Sequence, residues 1–275
     1  VSPLQEKQLT TLGGNIHALE VKGSFDDCQR MVKQAFLDPE LSETLRLTSA
    51  NSINLGRLIP QAFYYAYAFS RLKADVPGEL FFCVPSGNFG NLTAGVLAWK
   101  GGLPVTGFIA ATNANDVVPE YLETGIYSPR SSIRTLSNAM DVGDPSNFER
   151  LKTIFSDDVD AMAAMIWGEV VSDEETLETI AHFRVTENVF VDPHTAAGVR
   201  AAQRFIANRY PTVGTVITLG TAHPAKFGEV VEEATGMRPD IPERLERVLD
   251  LEKKARLMDN TPGALKEFLL DTFRD

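Results

Sequence analysis

Residues 80–95 constrain this chain most, because they combine an apolar run, a glycine-containing turn and a helix start. Residues 80–84 are continuously apolar, which predicts a strand covered on both faces. Gly87 and Gly90 permit backbone angles that other residues resist and leave room for a ligand against the main chain. Residues 92–100 favour a helix, whose N-terminus offers unpaired N–H groups to an anion. The pattern predicts a strand–turn–helix unit, with the glycines serving either a phosphate site or packing alone.

Other site classes fit the sequence poorly. The turn after residue 85 has neither the Gly-Lys-Ser/Thr ending of a Walker loop nor the G-x-G-x-x-G spacing of a dinucleotide site. Ser86 lacks the G-x-S-x-G elbow of a serine hydrolase. No two of the four histidines have the i,i+4 spacing of a zinc motif, so we expect no metal site.

Composition sets limits on the partners. The chain has 275 residues with 26 basic and 37 acidic side chains, a formal charge of −11, which argues against nucleic-acid binding. The longest aromatic-rich apolar run, residues 62–69, is too short to span a bilayer, so we expect no membrane partner. Cys28 and Cys83 lie at apolar positions and are expected to be small buried residues, which fits a reducing cytoplasm. The oligomeric state stays open.

Hydrophobic periodicity predicts an α/β fold. Strand and helix patterns alternate, so we expect an open, mostly parallel sheet with helices on both faces. A long helix that is apolar all round, residues 55–72, is expected to be buried and kinked at Pro60. The predicted strands are residues 16–21, 80–84, 104–110, 189–191 and 213–219, and the other main helices are residues 24–36 and 92–100.

Six segments resemble one enzyme family in the same order. The Ser-Gly-Asn-Phe-Gly-Asn-Leu-Thr-Ala-Gly string is similar to the cofactor-phosphate loop of threonine synthases, pyridoxal-phosphate enzymes of the tryptophan-synthase-β fold group (fold type II). A single glycine loop would be weak evidence, but six ordered matches are strong. The matching segments are residues 2–7, 49–54, 86–95, 108–113, 136–141 and 219–227.

The resemblance implies an activity, a cofactor and a domain plan. It implies the conversion of O-phospho-L-homoserine and water to L-threonine and phosphate, the last step of threonine biosynthesis, with pyridoxal 5′-phosphate as cofactor. It also implies a large domain plus part of a smaller α/β domain. The expected divisions are residues 1–48 for the remainder of the small domain, 49–235 for the large domain with a helical insertion at about 116–185, and 236–275 for a helical tail.

The resemblance also assigns candidate site residues. Polar residues gather where the predicted strands end, which is where ligands bind in open parallel sheets, although such residues are also good turn formers. Among the charged substrate candidates Lys226 ranks first, because it begins a helix after a strand end. Expected cofactor contacts are Ser86, Gly87, Asn88, Phe89, Gly90, Asn91 and Thr221. Expected substrate contacts are Asn51, Ser52, Arg57, Asn113, Asn115, His223 and Lys226.

The sequence departs from the family at one point. The Phe-Lys-Asp motif, whose lysine forms the family's Schiff base, and the Ser-Gly-Asp-Thr-Gly loop are both absent from these 275 residues. We therefore expect the C-terminal portion of a longer protein, no catalytic residue within this chain, and doubtful activity of the chain alone. The alternatives are a non-catalytic anion-binding module and a related pyridoxal-phosphate-dependent serine or threonine dehydratase.

Overall fold

Two units make up the chain, one from residues 1–49 and 241–275 and the other from residues 50–240. The structure is a computed structural model. It describes the chain in four stretches, residues 3–52, 54–72, 78–208 and 214–274. Three residues named in the sequence predictions, Ser2, Ile53 and Val213, lie outside the described residues.

Among the helices and strands of the described residues, each strand is separated from the next by one or more helices. In order they are α1 (Pro3–Thr10), β1 (Ala18–Val21), α2 (Phe25–Leu37), α3 (Pro39–Thr44), α4 (Leu55–Leu58), α5 (Ala62–Leu72), β2 (Leu80–Pro85), α6 (Gly90–Lys100), β3 (Gly107–Thr112), α7 (Val117–Thr124), α8 (Phe148–Ile154), α9 (Val159–Met165), β4 (Ile166–Val170), α10 (Asp173–Thr186), α11 (Pro193–Asn208), β5 (Thr215–Thr218), α12 (Gly228–Thr235), α13 (Glu243–Glu246), β6 (Ala255–Met258) and α14 (Pro262–Phe273). Short 3₁₀ turns occupy Ile59–Gln61, Asn138–Met140 and Pro224–Phe227.

A four-stranded sheet lies at the centre of residues 50–240, in the order β4-β3-β2-β5 and parallel throughout. Phe82 of β2 pairs with Phe108 of β3 on one side and with Ile217 of β5 on the other. The two central strands are apolar and almost wholly buried, as a strand covered on both faces must be. Because all strands run the same way, their carboxyl ends share one edge of the sheet.

Helices cover both faces of this sheet. Alternate residues of β2 point in opposite directions. Phe82 packs with Tyr65 of α5 and Leu92 of α6, whereas Phe81 packs with Phe205 of α11. The predicted α/β class, with an open parallel sheet between two helical layers, is confirmed.

The helix predicted at residues 55–72 is broken at Pro60 as expected, but it is not buried all round. Tyr65 is fully buried, whereas Phe63 and Tyr67 are 69% and 66% exposed. α5 packs on α6 and on Phe82 of the sheet through its Tyr65 face, so one apolar stripe of the helix is buried and the opposite face is exposed. All-round apolarity therefore predicted too much burial.

One predicted strand is wrong and one was missed. Residues 189–191 form no strand, because α10 ends at Thr186 and α11 begins at Pro193, and Val191 packs instead against Ile180. The fourth strand of the sheet is instead β4, which lies inside residues 116–185, the segment predicted to be a helical insertion. The other predicted strands of this sheet were located to within three residues.

The other unit holds a two-stranded parallel sheet. β1 pairs with β6, with Ala18 opposite Ala255. The segment after residue 235 was predicted to be a helical tail. That prediction is wrong in part, because the segment also contributes the strand β6. Ser24 caps α2 in a capping box with Asp27. No helix among the described residues has the length and apolar character needed to cross a membrane.

Candidate functional site

The turn after β2 is closed by its own side chains. The Ser86 hydroxyl donates to the Val84 carbonyl (3.0 Å). The Asn91 carboxamide donates to the Pro85 carbonyl (2.7 Å) and accepts from the Leu92 N–H (2.9 Å). Ser86 and Asn91 are thus engaged in shaping the loop, which we call the anion loop (residues 86–91).

The anion loop presents backbone donors at the N-terminus of α6. Phe89 caps this helix with φ +60° and ψ 14°, a left-handed conformation, and its buried ring anchors the turn in the core. A left-handed residue next to helical ones turns successive N–H groups to one side. In the described stretches, no group accepts a hydrogen bond from the N–H of Gly87, Asn88, Phe89, Gly90 or Asn91. Five adjacent donors at the positive end of a helix fit a phosphate dianion.

A second segment, residues 137–147, braces the loop from outside, and we call it the bracing segment. A Cβ on Gly87 would lie 2.6 Å from the Met140 Cα, so no larger residue fits there. Further along, the Asn88 carboxamide oxygen accepts from the Ser146 N–H (2.6 Å) and hydroxyl (2.9 Å). The loop is therefore held at Gly87 by contact and at Asn88 by hydrogen bonds.

Asn147 ties the loop to a third segment. Its carboxamide N–H donates to the Asn88 carbonyl (3.0 Å) and to the Ser52 hydroxyl (2.8 Å), and its oxygen accepts from Arg150 (2.6 Å). Arg150 also donates to the Ser52 carbonyl (3.1 Å). A Cβ on Gly90 would lie 2.9 Å from the Ser52 hydroxyl, which places this predicted substrate residue beside the anion loop.

Three predicted substrate residues line one open depression of about 510 Å³. These residues are Asn51, Ser52 and Arg57, and Ala50 and Gln61 complete the lining. The Arg57 guanidinium donates to the Ala50 carbonyl, which holds it at the wall. A guanidinium with amide and hydroxyl groups around it is suited to an oxyanion.

Asn113 and Asn115 lie in a buried polar network at the end of β3. The Asn113 carboxamide donates to Thr135 (2.7 Å) and Asp141 (2.9 Å), and its oxygen accepts from Asn115 (2.8 Å). Asn115 in turn binds both backbone groups of Ile133. Burial raises the pKa of Asp141 above its usual value, although hydrogen bonds from Thr135 and Asn113 oppose the shift. The network holds residues 133–141 in place, and direct substrate contact by these two asparagines stays a prediction.

The remaining candidates follow β5, the neighbour of β2 in the sheet. Thr221 is exposed just beyond the strand end. The His223 ring accepts from the Ala225 N–H (3.2 Å) and so caps the 3₁₀ turn that contains Lys226. These residues therefore follow a strand whose carboxyl end lies at the same sheet edge as the anion loop, and their contacts with cofactor or substrate stay predictions.

Ser146, Asn147 and Arg150 were missed by the sequence reasoning. The available signal was an asparagine at a helix start, in the Pro-Ser-Asn-Phe string at residues 145–148. Asp192 and His194 follow residues 189–191, which were wrongly predicted to be a strand, and the sequence reasoning assigned them no role.

Family comparison identifies the class to which this site belongs. The model of the pyridoxal-phosphate dependent enzyme family matches residues 1–221, and a model described as threonine synthase, C-terminal, matches residues 195–269. The chain belongs to the family of pyridoxal-phosphate-dependent enzymes. The five N–H groups of the anion loop, which meet no acceptor in the described part of the chain, fit the phosphate of that cofactor, and the predicted cofactor is confirmed for the family.

Within that family the chain is similar to threonine synthases, so the predicted resemblance is confirmed. It is 43% identical to the enzyme of Serratia marcescens over 270 residues and 42% identical to that of Escherichia coli K12 over 272 residues. Each match covers 98% of this chain and 62% of the relative. The chain thus spans about three fifths of the length of the relatives that it matches.

Solved structures agree with this relationship. Threonine synthase from Escherichia coli superposes with a TM-score of 0.90 at 42% identity, covering 98% of this chain and 62% of that one. PLP-bound threonine synthase from Brucella melitensis gives 0.85 at 33% identity, covering 100% and 64%. A fungal L-serine ammonia-lyase, at 13% identity and a TM-score of 0.53, shares the fold alone.

The cytoplasmic location predicted from the cysteines stays a prediction.

Proposed function

We propose that this chain supplies the cofactor-phosphate loop and the substrate-phosphate depression of a threonine synthase, which converts O-phospho-L-homoserine and water to L-threonine and phosphate. One observation carries the proposal, the run of five backbone N–H groups from Gly87 to Asn91, at the N-terminus of α6, that have no acceptor among the described residues. The names of the relatives support the choice of reaction.

The anion loop is built to bind the cofactor phosphate without moving. Each N–H bond to a charged oxygen contributes about 1.5–3 kcal/mol, offset in part by dehydrating the phosphate. Ser86, Asn91 and Asn147 already fix the loop, so little ordering is left for binding to impose. Several such bonds anchor the cofactor without a covalent link.

Pyridoxal phosphate, when bound, supplies a ring that stabilises negative charge on the substrate. The Thr221 hydroxyl is the proposed partner of the ring nitrogen, because it follows β5, next to the strand that carries the anion loop. A neutral hydroxyl there tempers the ring as an electron sink and favours β,γ-elimination and replacement. The proton-transferring lysine of this proposal belongs to polypeptide outside the 275 residues.

The depression at residues 50–61 is the proposed site of the substrate phosphate. Arg57 supplies a permanent positive charge, and the Asn51 and Ser52 side chains supply hydrogen-bonding groups. Ser52 also lies beside Gly90, so the two phosphate sites share a wall. Among the charged candidates the depression favours Arg57, whereas His223 and Lys226 remain proposed contacts at the end of β5.

A non-catalytic anion-binding module is the rival. The absence of the Phe-Lys-Asp string from the sequence favours it. Both hypotheses predict phosphate binding, so binding alone does not separate them. Covalent capture combined with turnover does, since only the enzyme hypothesis predicts both a stoichiometric adduct on one lysine and threonine formation.

The test combines capture with turnover. The longer polypeptide of this proposal, which contains this chain and the proton-transferring lysine, is mixed with pyridoxal phosphate, reduced with borohydride and mapped by mass spectrometry, and threonine formation from O-phospho-L-homoserine is assayed. One lysine labelled stoichiometrically, with threonine formed, supports the enzyme; saturable binding without either result supports the module. R57Q should raise KM for the substrate at least tenfold, whereas R71Q, on an exposed arginine of α5, should leave it unchanged.

A further inference from the structure

A buried carboxylate lies just before α11. Asp192 is 1% exposed, and one of its oxygens accepts from the His194 N–H (3.0 Å) and contacts the His194 ring Nδ1 (2.8 Å). The other oxygen accepts from the Thr195 hydroxyl. Burial acts to raise the pKa of Asp192, but the hydrogen bonds from His194 and Thr195 outweigh it and hold this pKa below its usual value. The carboxylate therefore fixes two neighbouring side chains at once.

The far side of the His194 ring holds the bracing segment. Its Nε2 accepts from the Ala139 N–H (3.1 Å), and its ring packs on Phe227 with centroids 4.8 Å apart. An Nε2 that accepts leaves the ring proton on Nδ1, where Asp192 accepts it. The Asp192 contact thus selects the tautomer that can bind Ala139.

Ala139 is one of the residues that press on the anion loop. Its carbonyl oxygen lies 2.8 Å from where a Cβ of Gly87 would stand. On the other side of Asp192, the Thr195 hydroxyl lies 3.1 Å from where a Cβ of Gly220 would stand, and Gly220 is the residue before Thr221. One carboxylate therefore connects the brace on the anion loop with the turn after β5.

We propose that Asp192 and His194 act as a positioning pair that keeps the anion loop in its phosphate-binding shape by holding Ala139 against Gly87. The proposal rests on the proposed function of that loop. Neither residue needs to touch the cofactor, since the effect passes through the bracing segment. Loss of the pair should therefore weaken ligands that carry a phosphate and spare those that do not.

Two substitutions of His194 test the positioning pair, one that removes the acceptor for the Ala139 N–H and one that keeps an acceptor. H194F keeps an aromatic ring against Phe227 but offers no acceptor to the Ala139 N–H. H194Q keeps a side-chain oxygen that can accept there. The exposed His182 gives the control H182F. The probes are pyridoxal phosphate, inorganic phosphate and pyridoxal, which lacks the phosphate, each measured by equilibrium binding.

H194F should lose at least tenfold in affinity for pyridoxal phosphate and inorganic phosphate while pyridoxal changes less than twofold. H194Q should recover most of the loss, and H182F should match the wild type. Equal binding of pyridoxal phosphate by H194F and the wild type would refute the pair. Equal weakening of pyridoxal would also refute it, since that marks a general structural defect. A wild type that does not prefer pyridoxal phosphate over pyridoxal would instead refute the proposed function.

A measurement on the wild type keeps the inference testable if H194F does not fold. The ¹⁵N chemical shifts of the His194 ring should show an unprotonated Nε2 and a protonated Nδ1. A protonated Nε2 at neutral pH would overturn the proposal, because it could not accept from Ala139.

Discussion

Asn147→Ala tests how the anion loop is held. Asn147 is fully buried and donates to Ser52 and to the Asn88 carbonyl, while its oxygen accepts from Arg150. The alanine variant removes all three hydrogen bonds. Two neutral bonds contribute about 1 kcal/mol each, and the bond from a charged guanidinium contributes about 1.5–3 kcal/mol. Water can reach the half-buried Arg150, so we expect a total loss of about 3 kcal/mol.

Urea denaturation followed by tryptophan fluorescence measures this loss. Both tryptophans, Trp99 and Trp167, lie in the unit of residues 50–240, so the signal reports on the right part of the chain. N208A, at an exposed end of α11, makes the same substitution without removing a buried contact and should change stability by less than about 0.5 kcal/mol. A fall of about 3 kcal/mol with an unchanged m-value is the expected result.

The affinity for inorganic phosphate is a second measurement on the N147A variant. The Asn88 peptide belongs to the anion loop, so N147A should weaken phosphate binding as well as stability. The reasoning fails if N147A and N208A unfold at the same urea concentration. It also fails if N147A unfolds early yet binds phosphate as tightly as the wild type.

Two further predictions concern the bracing segment. Gly87→Ala would place a Cβ 2.6 Å from the Met140 Cα, so pyridoxal phosphate affinity should fall at least tenfold by isothermal titration calorimetry; Gly228→Ala, which meets no atom within 4 Å, should leave it unchanged. Asp141→Asn should lower the free energy of unfolding by about 1–3 kcal/mol, because the Thr135 N–H loses a carboxylate acceptor. Burial raises the pKa of Asp141, so the folded state favours the protonated carboxyl, and this contribution to stability is fully present below the unfolded pKa and is lost as pH rises through the folded pKa. The gap between wild type and D141N in urea should therefore narrow from pH 4 to pH 7, and a gap that widens contradicts the burial argument.

The sequence located the anion loop because its requirements are local. Continuous apolar residues mark β2, and Gly87 and Gly90 mark the turn that follows it. Both the strand and the turn could be predicted from neighbouring residues alone. The class of fold followed from the same local alternation of strands and helices.

The bracing contacts could not be predicted in the same way. Asn147 reaches Ser52 and Asn88 across long sequence separations, and nothing local in its own segment indicates these partners. β4 was missed because its Trp-Gly-Glu centre lacks the run of β-branched residues that marks a buried strand. The exposed side of α5 was missed for a related reason, since composition does not show which apolar face meets the sheet.

The order of the strands also affects how the protein is made. β2 is central in the sheet, yet its neighbour β5 comes from the far end of the unit. During synthesis one edge of β2 must stay unpaired while the ribosome makes residues 86–214, on the order of ten seconds at about 5–20 residues per second. A nascent chain in this interval exposes an apolar strand edge, which is the kind of surface that chaperones protect from aggregation.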